Sequence, residues 1–102
     1  IDKSIINLEF LQDNANDNNL STIVALADDL NYKDKCTLLK SLLPYIYGND
    51  FYSVSMLVYE IRQIGCEISE SEKKDAISAL EKFDDEDAAE ILEDLVEIPT
   101  HQ

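Results

Sequence analysis

The sequence has few of the residues on which catalysis and cofactor binding usually depend. Its 102 residues include one His, at position 101, so no Ser or Cys has an evident His to activate it as a nucleophile. The two glycines, Gly48 and Gly65, stand alone and form no phosphate-binding loop. We therefore expect a protein that is not an enzyme and that uses no cofactor.

Cysteines are also scarce. Cys36 and Cys66 are too few for a disulfide framework or a zinc site. We interpret both as small, buried apolar residues of a reduced protein, and we expect a cytoplasmic location. No apolar run approaches the length of a membrane span, and no basic start followed by an apolar stretch indicates a secretory signal.

The acidic clusters do not match a calcium-binding loop. A loop that begins at Asn14 lacks both the required Gly and the bidentate Glu. A loop that begins at Asp85 lacks oxygen ligands at its fifth and twelfth positions. The sequence therefore predicts no metal site.

Basic residues are outnumbered, since 22 Asp and Glu face 8 Lys and Arg, for a formal net charge of −14. Residues 67–102 carry 13 acidic and 3 basic residues, a net of −10. A field of this sign repels nucleic-acid phosphate and anionic lipid and attracts basic proteins. We expect a basic or amphipathic-helical protein partner, and neither direct nucleic-acid binding nor membrane binding.

The apolar spacing is helical almost throughout, and only two Gly and two Pro interrupt it. The sequence predicts one all-α domain over residues 1–102, with about six short antiparallel helices and no strand. They would form a single compact bundle or a short helix-hairpin stack of the tetratricopeptide-like kind. The predicted helices cover about 2–13, with a polar turn to residue 18, then 20–30, 32–47 and 50–64, a fifth that begins after Ser69 and includes Phe83, and a sixth from Asp84 to Pro99, with 99–102 as a frayed tail.

Several helix ends carry recognisable signals. Asn31 and Asp50 stand at predicted helix starts, Gly48 and Gly65 at predicted ends, and Ser69 with Glu72 has the spacing of a capping box. Apolar stripes predict the core-facing residues of each helix. On the last two helices these are Ala76, Ile77, Ala79, Leu80 and Phe83, and Ala88, Ala89, Ile91, Leu92 and Leu95.

The fourth helix has apolar side chains on two faces. Opposite its aliphatic stripe, Tyr52, Met56 and Tyr59 recur at i, i+4 and i+7. Such a helix either packs between two neighbours or offers one face to a partner. Aromatic and Met residues are enriched in protein-binding patches, and nearby carboxylates suit a basic partner. The candidate protein-binding residues are Tyr45, Tyr47, Asp50, Tyr52, Met56, Tyr59 and Glu60.

The leading hypothesis is a small non-catalytic module that masks or escorts a basic protein, as an inhibitor, an immunity or antitoxin protein, or a secretion chaperone. The alternative is a nucleic-acid mimic whose acidic face replaces a phosphate track, and a merely solubilising face is the simplest explanation of the same charges. The acidic face consists of Asp75, Glu86, Glu90, Glu93, Asp94 and Glu97. The first helix has apolar residues around most of its circumference, which predicts either burial or homo-oligomer formation through that helix.

Overall fold

Each α-helix of residues 6–101 except the second begins at a side chain that caps its first turn. The first backbone N–H groups of a helix have no partner within the helix, and a side-chain oxygen one position earlier can accept from them. Asn31 accepts from Asp34 N at 2.9 Å, and Ser69 and Glu72 form a reciprocal capping box. The computed structural model describes residues 6–101. Its α-helices are α1 (Leu8–Asn14), α2 (Leu20–Leu26), α3 (Tyr32–Ser41), α4 (Phe51–Ile64), α5 (Glu70–Ala79) and α6 (Asp85–Leu95).

The all-α prediction is confirmed, although several α-helices are shorter than the apolar spacing predicts. Three tighter 3-10 turns, Ala27–Asp29, Leu43–Gly48 and Leu80–Lys82, continue α2, α3 and α5. Pro44 explains the largest difference, because its ring would clash with the carbonyl four residues earlier in a continuous α-helix. The first helix begins at Leu8, and the part of its prediction that falls on residues 1–5 lies outside the described residues.

A short strand pair was not predicted. β1 (Ile68–Ser69) pairs in parallel with β2 (Thr100–His101), and Ile68 N donates to Pro99 O at 3.0 Å. The ammonium of Lys73 donates to the carbonyls of Val96 and Ile98, both at 3.1 Å. The predicted frayed tail is therefore wrong at residues 100 and 101, because backbone pairing and the Lys73 side chain hold that segment against α5.

The core is built around α4. Val54, Leu57, Val58 and Ile61 are at most 1% exposed, and α4 contacts α2, α3 and α6. The Cα radius of gyration is 13.1 Å, close to the value of about 13 Å expected for a compact chain of about 100 residues. No helix within residues 6–101 is long and apolar enough to cross a bilayer.

The predicted core stripes of α5 and α6 are too wide. Ile77 is 40% exposed and Leu92 36% exposed, and Ala89 is also exposed. All three side chains line a surface groove between α5 and α6, so this part of each stripe is left uncovered. The remaining predicted core residues of α5 and α6 are buried or half-buried.

Cys36 and Cys66 form a disulfide between α3 and the turn that follows α4, with their Cα atoms 5.6 Å apart. The interpretation of these residues as reduced thiols is therefore wrong. The antiparallel packing of α3 and α4 explains the pairing, since it places the start of α3 beside the end of α4. The Tyr32 hydroxyl, in the first turn of α3, donates to Gly65 O at 3.3 Å.

We expect the disulfide to contribute substantially to stability. It closes a loop with a sequence separation of 30 residues, for which the loss of chain entropy in the unfolded state corresponds to about 3.6 kcal/mol. The variant Cys36→Ser/Cys66→Ser should lose about 2–4 kcal/mol in urea unfolding. Wild-type protein in reductant is the matched control and should unfold at the same midpoint as the variant. Purified oxidised protein that takes up two alkylating groups without reductant would contradict the disulfide.

Candidate protein-binding surface

The face of α4 opposite the core is exposed. Asp50 caps the start of the helix through a 2.9 Å hydrogen bond from Ser53 N, and Gly65 ends it in the left-handed region at φ 74°. Tyr52 is 70% exposed and Tyr59 45% exposed, while Met56 between them is half-buried. We call Tyr52, Met56 and Tyr59 the tyrosine face. It contains three of the seven protein-binding residues predicted from the sequence.

One edge of the tyrosine face carries an ion-pair cluster that ties α4 to α3. The Lys35 ammonium lies 2.6 Å from Asp28 Oδ1 and 3.4 Å from Glu60 Oε2. Its hydrogen bond to Asp28, supported by the charges of both carboxylates, raises the pKa of Lys35 above its usual value despite partial burial. Glu60, also a predicted binding residue, is therefore partly used in holding the fold together.

The other edge carries a second cluster, which ties α4 to α6. Arg62 Nη1 lies 3.3 Å from Asp94 Oδ1, and Arg62 Nε donates to the carboxylate of Glu97. On a helix with 3.6 residues per turn, Glu60 and Arg62 project about 80° to either side of the tyrosine face. The face is thus flanked on both sides by ion pairs.

These two clusters leave an excess of negative charge. Lys35 and Arg62 supply two positive charges, whereas Asp28, Glu60, Asp94 and Glu97 supply four negative ones. The exposed rings therefore lie in a locally acidic setting. Such a surface can stack on or pack against an apolar or cationic side chain while the surrounding carboxylates attract its charge.

The other predicted binding residues lie elsewhere. Tyr45 is half-buried against the core, and Tyr47, 65% exposed, borders a cleft of about 480 Å³ between the Leu43–Gly48 turn and α5. Lys82 donates to Tyr47 O at 2.8 Å and to Asn49 O. Tyr45, Tyr47 and Asp50 therefore belong to the junction that precedes α4, and their main visible contacts are structural.

The predicted acidic face is concentrated on α6. Glu86, Glu90, Glu93 and Glu97 recur at i, i+4, i+7 and i+11, which places them in one exposed line. We call these four residues the acidic row. Glu97, which follows the last residue of α6, also binds Arg62, so Glu86, Glu90 and Glu93 are the members of the row without an ion pair in the described residues. Asp94 lies farther round the helix and turns toward Arg62, and Asp75 borders the Tyr47 cleft on α5, so neither belongs to the row.

No cluster of three or more His, Cys, Asp or Glu side chains within residues 6–101 could hold a metal ion. His101, the only His, lies on β2 with Nδ1 3.8 Å from Glu67 Oε2.

The first helix is partly covered. Leu11 is fully buried, Ile6 and Leu8 pack against the core, and Phe10 is 39% exposed. Phe10 is the main apolar side chain that this helix leaves at the surface among the described residues. The homo-oligomer expected through the helix stays a prediction.

Comparison of the chain with protein-family models, with curated proteins and with solved structures finds no match.

The Asp50 cap predicts a specific pH dependence. The hydrogen bonds from the backbone N–H and then the hydroxyl of Ser53, together with the charge of Lys82, lower the pKa of Asp50 from its ordinary value of 3.8. A lowered pKa in the folded state adds stability above the unfolded-state pKa, and this stability is lost as the pH falls through the folded-state value.

Asp50→Asn keeps a capping oxygen but removes the titration. In urea unfolding, the difference in stability between the wild type and this variant should therefore be constant near neutral pH. Below about pH 4 the wild type should lose stability relative to the variant. Parallel stability curves over the acidic range would contradict the assignment.

Proposed function

We propose that this chain is a non-catalytic protein-binding module that receives a basic protein on the tyrosine face of α4. One observation carries the proposal: Tyr52 and Tyr59 are exposed on the same face of a rigid, well-packed helix, between two clusters with excess carboxylate charge. Large aromatic side chains held on a helix are common anchors of protein interfaces. Truncation of one such anchor to Ala often weakens binding by about 2–4 kcal/mol.

The charge of the whole chain supports the same partner. A net charge of −14 would accelerate the encounter with a basic protein and oppose binding to nucleic acid or to an anionic membrane. Masking or escort of such a partner fits a small inhibitor, immunity protein, antitoxin or secretion chaperone. The disulfide changes the proposed location, because disulfides persist mainly in oxidising compartments, and it favours such a compartment over the expected cytoplasm.

The proposal predicts that the tyrosine face selects the partner. The chain would be immobilised and used to capture proteins from its native source, and the captured protein would then be purified and titrated. Tyr52→Ala/Tyr59→Ala should weaken its binding at least tenfold, or about 1.4 kcal/mol, because the two rings leave the contact. Tyr47→Ala is the matched control, since Tyr47 is equally exposed but lies off this face. Equal binding by the wild type and the double variant would contradict the proposal.

Charge attraction predicts a second property of the same complex. The association rate should fall steeply between about 50 and about 300 mM salt, while the dissociation rate changes less, because screening acts mainly on the encounter. Stopped-flow mixing of the purified pair measures both rates. An association rate that is flat across this range would show that the acidic surface does not guide the partner.

The acidic row gives specific support to the alternative, a nucleic-acid mimic. If the partner binds nucleic acid, a duplex oligonucleotide should compete with the chain, and Glu86→Gln/Glu90→Gln/Glu93→Gln should abolish binding more completely than loss of the two tyrosines. A partner that binds the chain and the duplex at the same time would exclude mimicry.

A further inference from the structure

The hairpin formed by α5 and α6 has an open apolar groove on its outer side. The groove has a volume of about 470 Å³, and we call it the hairpin groove. Ile77 and Leu92, the largest of its apolar side chains at the surface, belong to the over-wide core stripes described above. Its walls also include Leu80, Phe83, Ala88 and Ala89.

The apolar lining continues along α6. Ala89, Leu92 and Val96 recur at i, i+3 and i+7, and Val96 is 53% exposed. At 100° per residue these three lie within about 60° of one another, and the acidic row begins about 40° beyond them. The apolar line spans residues 89–96, so it and the acidic line run side by side for about two helical turns, or about 11 Å.

Acidic side chains also border one end of the groove. Glu81 and Asp85 border it where α5 turns into α6. At the other end, a neighbouring recess that shares Ile77 is bordered by Lys73, Lys74 and Glu70. Lys73 is occupied with the carbonyls that follow α6, so Lys74 is the one cation left at that end among the described residues.

The carboxylates beside the groove have no cation in the described part of the chain. Glu81, Asp85, Glu86, Glu90 and Glu93 form no ion pair within residues 6–101, in contrast to the acidic residues around the tyrosine face. Apolar surface next to unpaired charge of one sign is the complement of an amphipathic helix that carries the opposite charge.

We infer that the hairpin groove binds a basic amphipathic helix of the partner protein. The helix would place apolar residues at i, i+3 or i+4, and i+7 along Ile77, Leu92 and Val96, and Lys or Arg residues over the acidic row. A second copy of this chain does not fit, because each copy would bring the same unpaired carboxylates and a net charge of −14. The inference takes from the proposed function only that the partner is basic, and it uses a different surface.

The test uses a synthetic probe peptide of about 14 residues, with Leu at i, i+3, i+7 and i+10 and Lys at most other positions, labelled with a fluorophore. A scrambled peptide of the same composition is the control for charge alone. Fluorescence anisotropy at about 150 mM salt should show at least tenfold tighter binding of the amphipathic peptide than of the scrambled one. Equal affinities would overturn the inference, because they would show attraction by charge without use of the groove.

Two variants separate this surface from the tyrosine face. Leu92→Gln/Val96→Gln changes exposed side chains, so it should fold, and it should weaken peptide binding at least tenfold. Tyr52→Ala/Tyr59→Ala should leave peptide binding unchanged. If the tyrosine variant loses the peptide and the groove variant keeps it, the groove inference fails while the proposed function stands. If the groove variant loses the captured partner and the tyrosine variant keeps it, the tyrosine face is rejected and the groove stands.

Folding and self-association are checked on the same samples. Far-ultraviolet circular dichroism confirms that the groove variant is helical, and Val96→Gln alone serves as a milder variant if the double variant unfolds. Light scattering at about 100 μM without peptide should give the same molar mass for the wild type and for Leu92→Gln/Val96→Gln, because the groove does not bind a second copy. A dimer that Leu92→Gln/Val96→Gln abolishes would overturn the inference, because it would identify a second copy as the occupant.

Discussion

The burial of one face of α4 is the constraint on which the rest of the structure depends. Val54, Leu57, Val58 and Ile61 lie in the centre of the core, and each contributes roughly 2 kcal/mol through removal of apolar surface from water. α2, α3 and α6 contact α4, and on the side opposite its buried residues Tyr52 and Tyr59 are exposed among the described residues. The exposure of Tyr52 and Tyr59 therefore follows from how the core is filled, and the helix backbone that carries them is anchored by the buried residues on its other side.

Most of the few basic side chains bind other groups of the same chain. Of the seven Lys and Arg in the described residues, Lys35 and Arg62 join helices through ion pairs, and Lys73 and Lys82 bind backbone carbonyls at the ends of neighbouring segments. Exposed ion pairs of this kind are individually weak, at about 0–1 kcal/mol, so their main effect is to orient elements. Because these cations already contact carboxylates or carbonyls of the chain, they take part in the fold as well as in the surface charge.

Local signals in the sequence predict the helices well because they act within a few residues. The Ser69–Glu72 capping box, the Asn31 cap and the Gly65 stop all depend on contacts between near neighbours, and all are present. The shortening of α3 at Pro44 is a local effect, but two other failures involve contacts distant in sequence. The Cys36–Cys66 bond spans 30 residues, and β1 pairs with a strand more than 30 residues away, so neither leaves a local pattern.

The exposure of Ile77 and Leu92 could have been anticipated in part. The predicted apolar stripe of α6, extended to Val96, covers about 160° of the helix, which is more than a helix at the edge of a domain can bury against its neighbours. The spacing alone predicts the tyrosine face, since three side chains at i, i+4 and i+7 lie on the same side of a helix. Whether that side was covered depended on the number of helices around α4, which spacing does not contain.

The position of α6 gives the two apolar surfaces a common source of charge. Its buried residues Ile91 and Leu95 face the core, Asp94 turns toward α4, and Leu92 turns toward α5. The acidic row lies between these last two directions, so it borders the tyrosine face on one side and the hairpin groove on the other. A field from one row of carboxylates acts over about 8 Å at physiological salt, far enough to reach both surfaces. Charge can therefore bring a basic partner to this side of the molecule without distinguishing the two surfaces, and the apolar side chains, which act only in contact, must decide which of them it occupies.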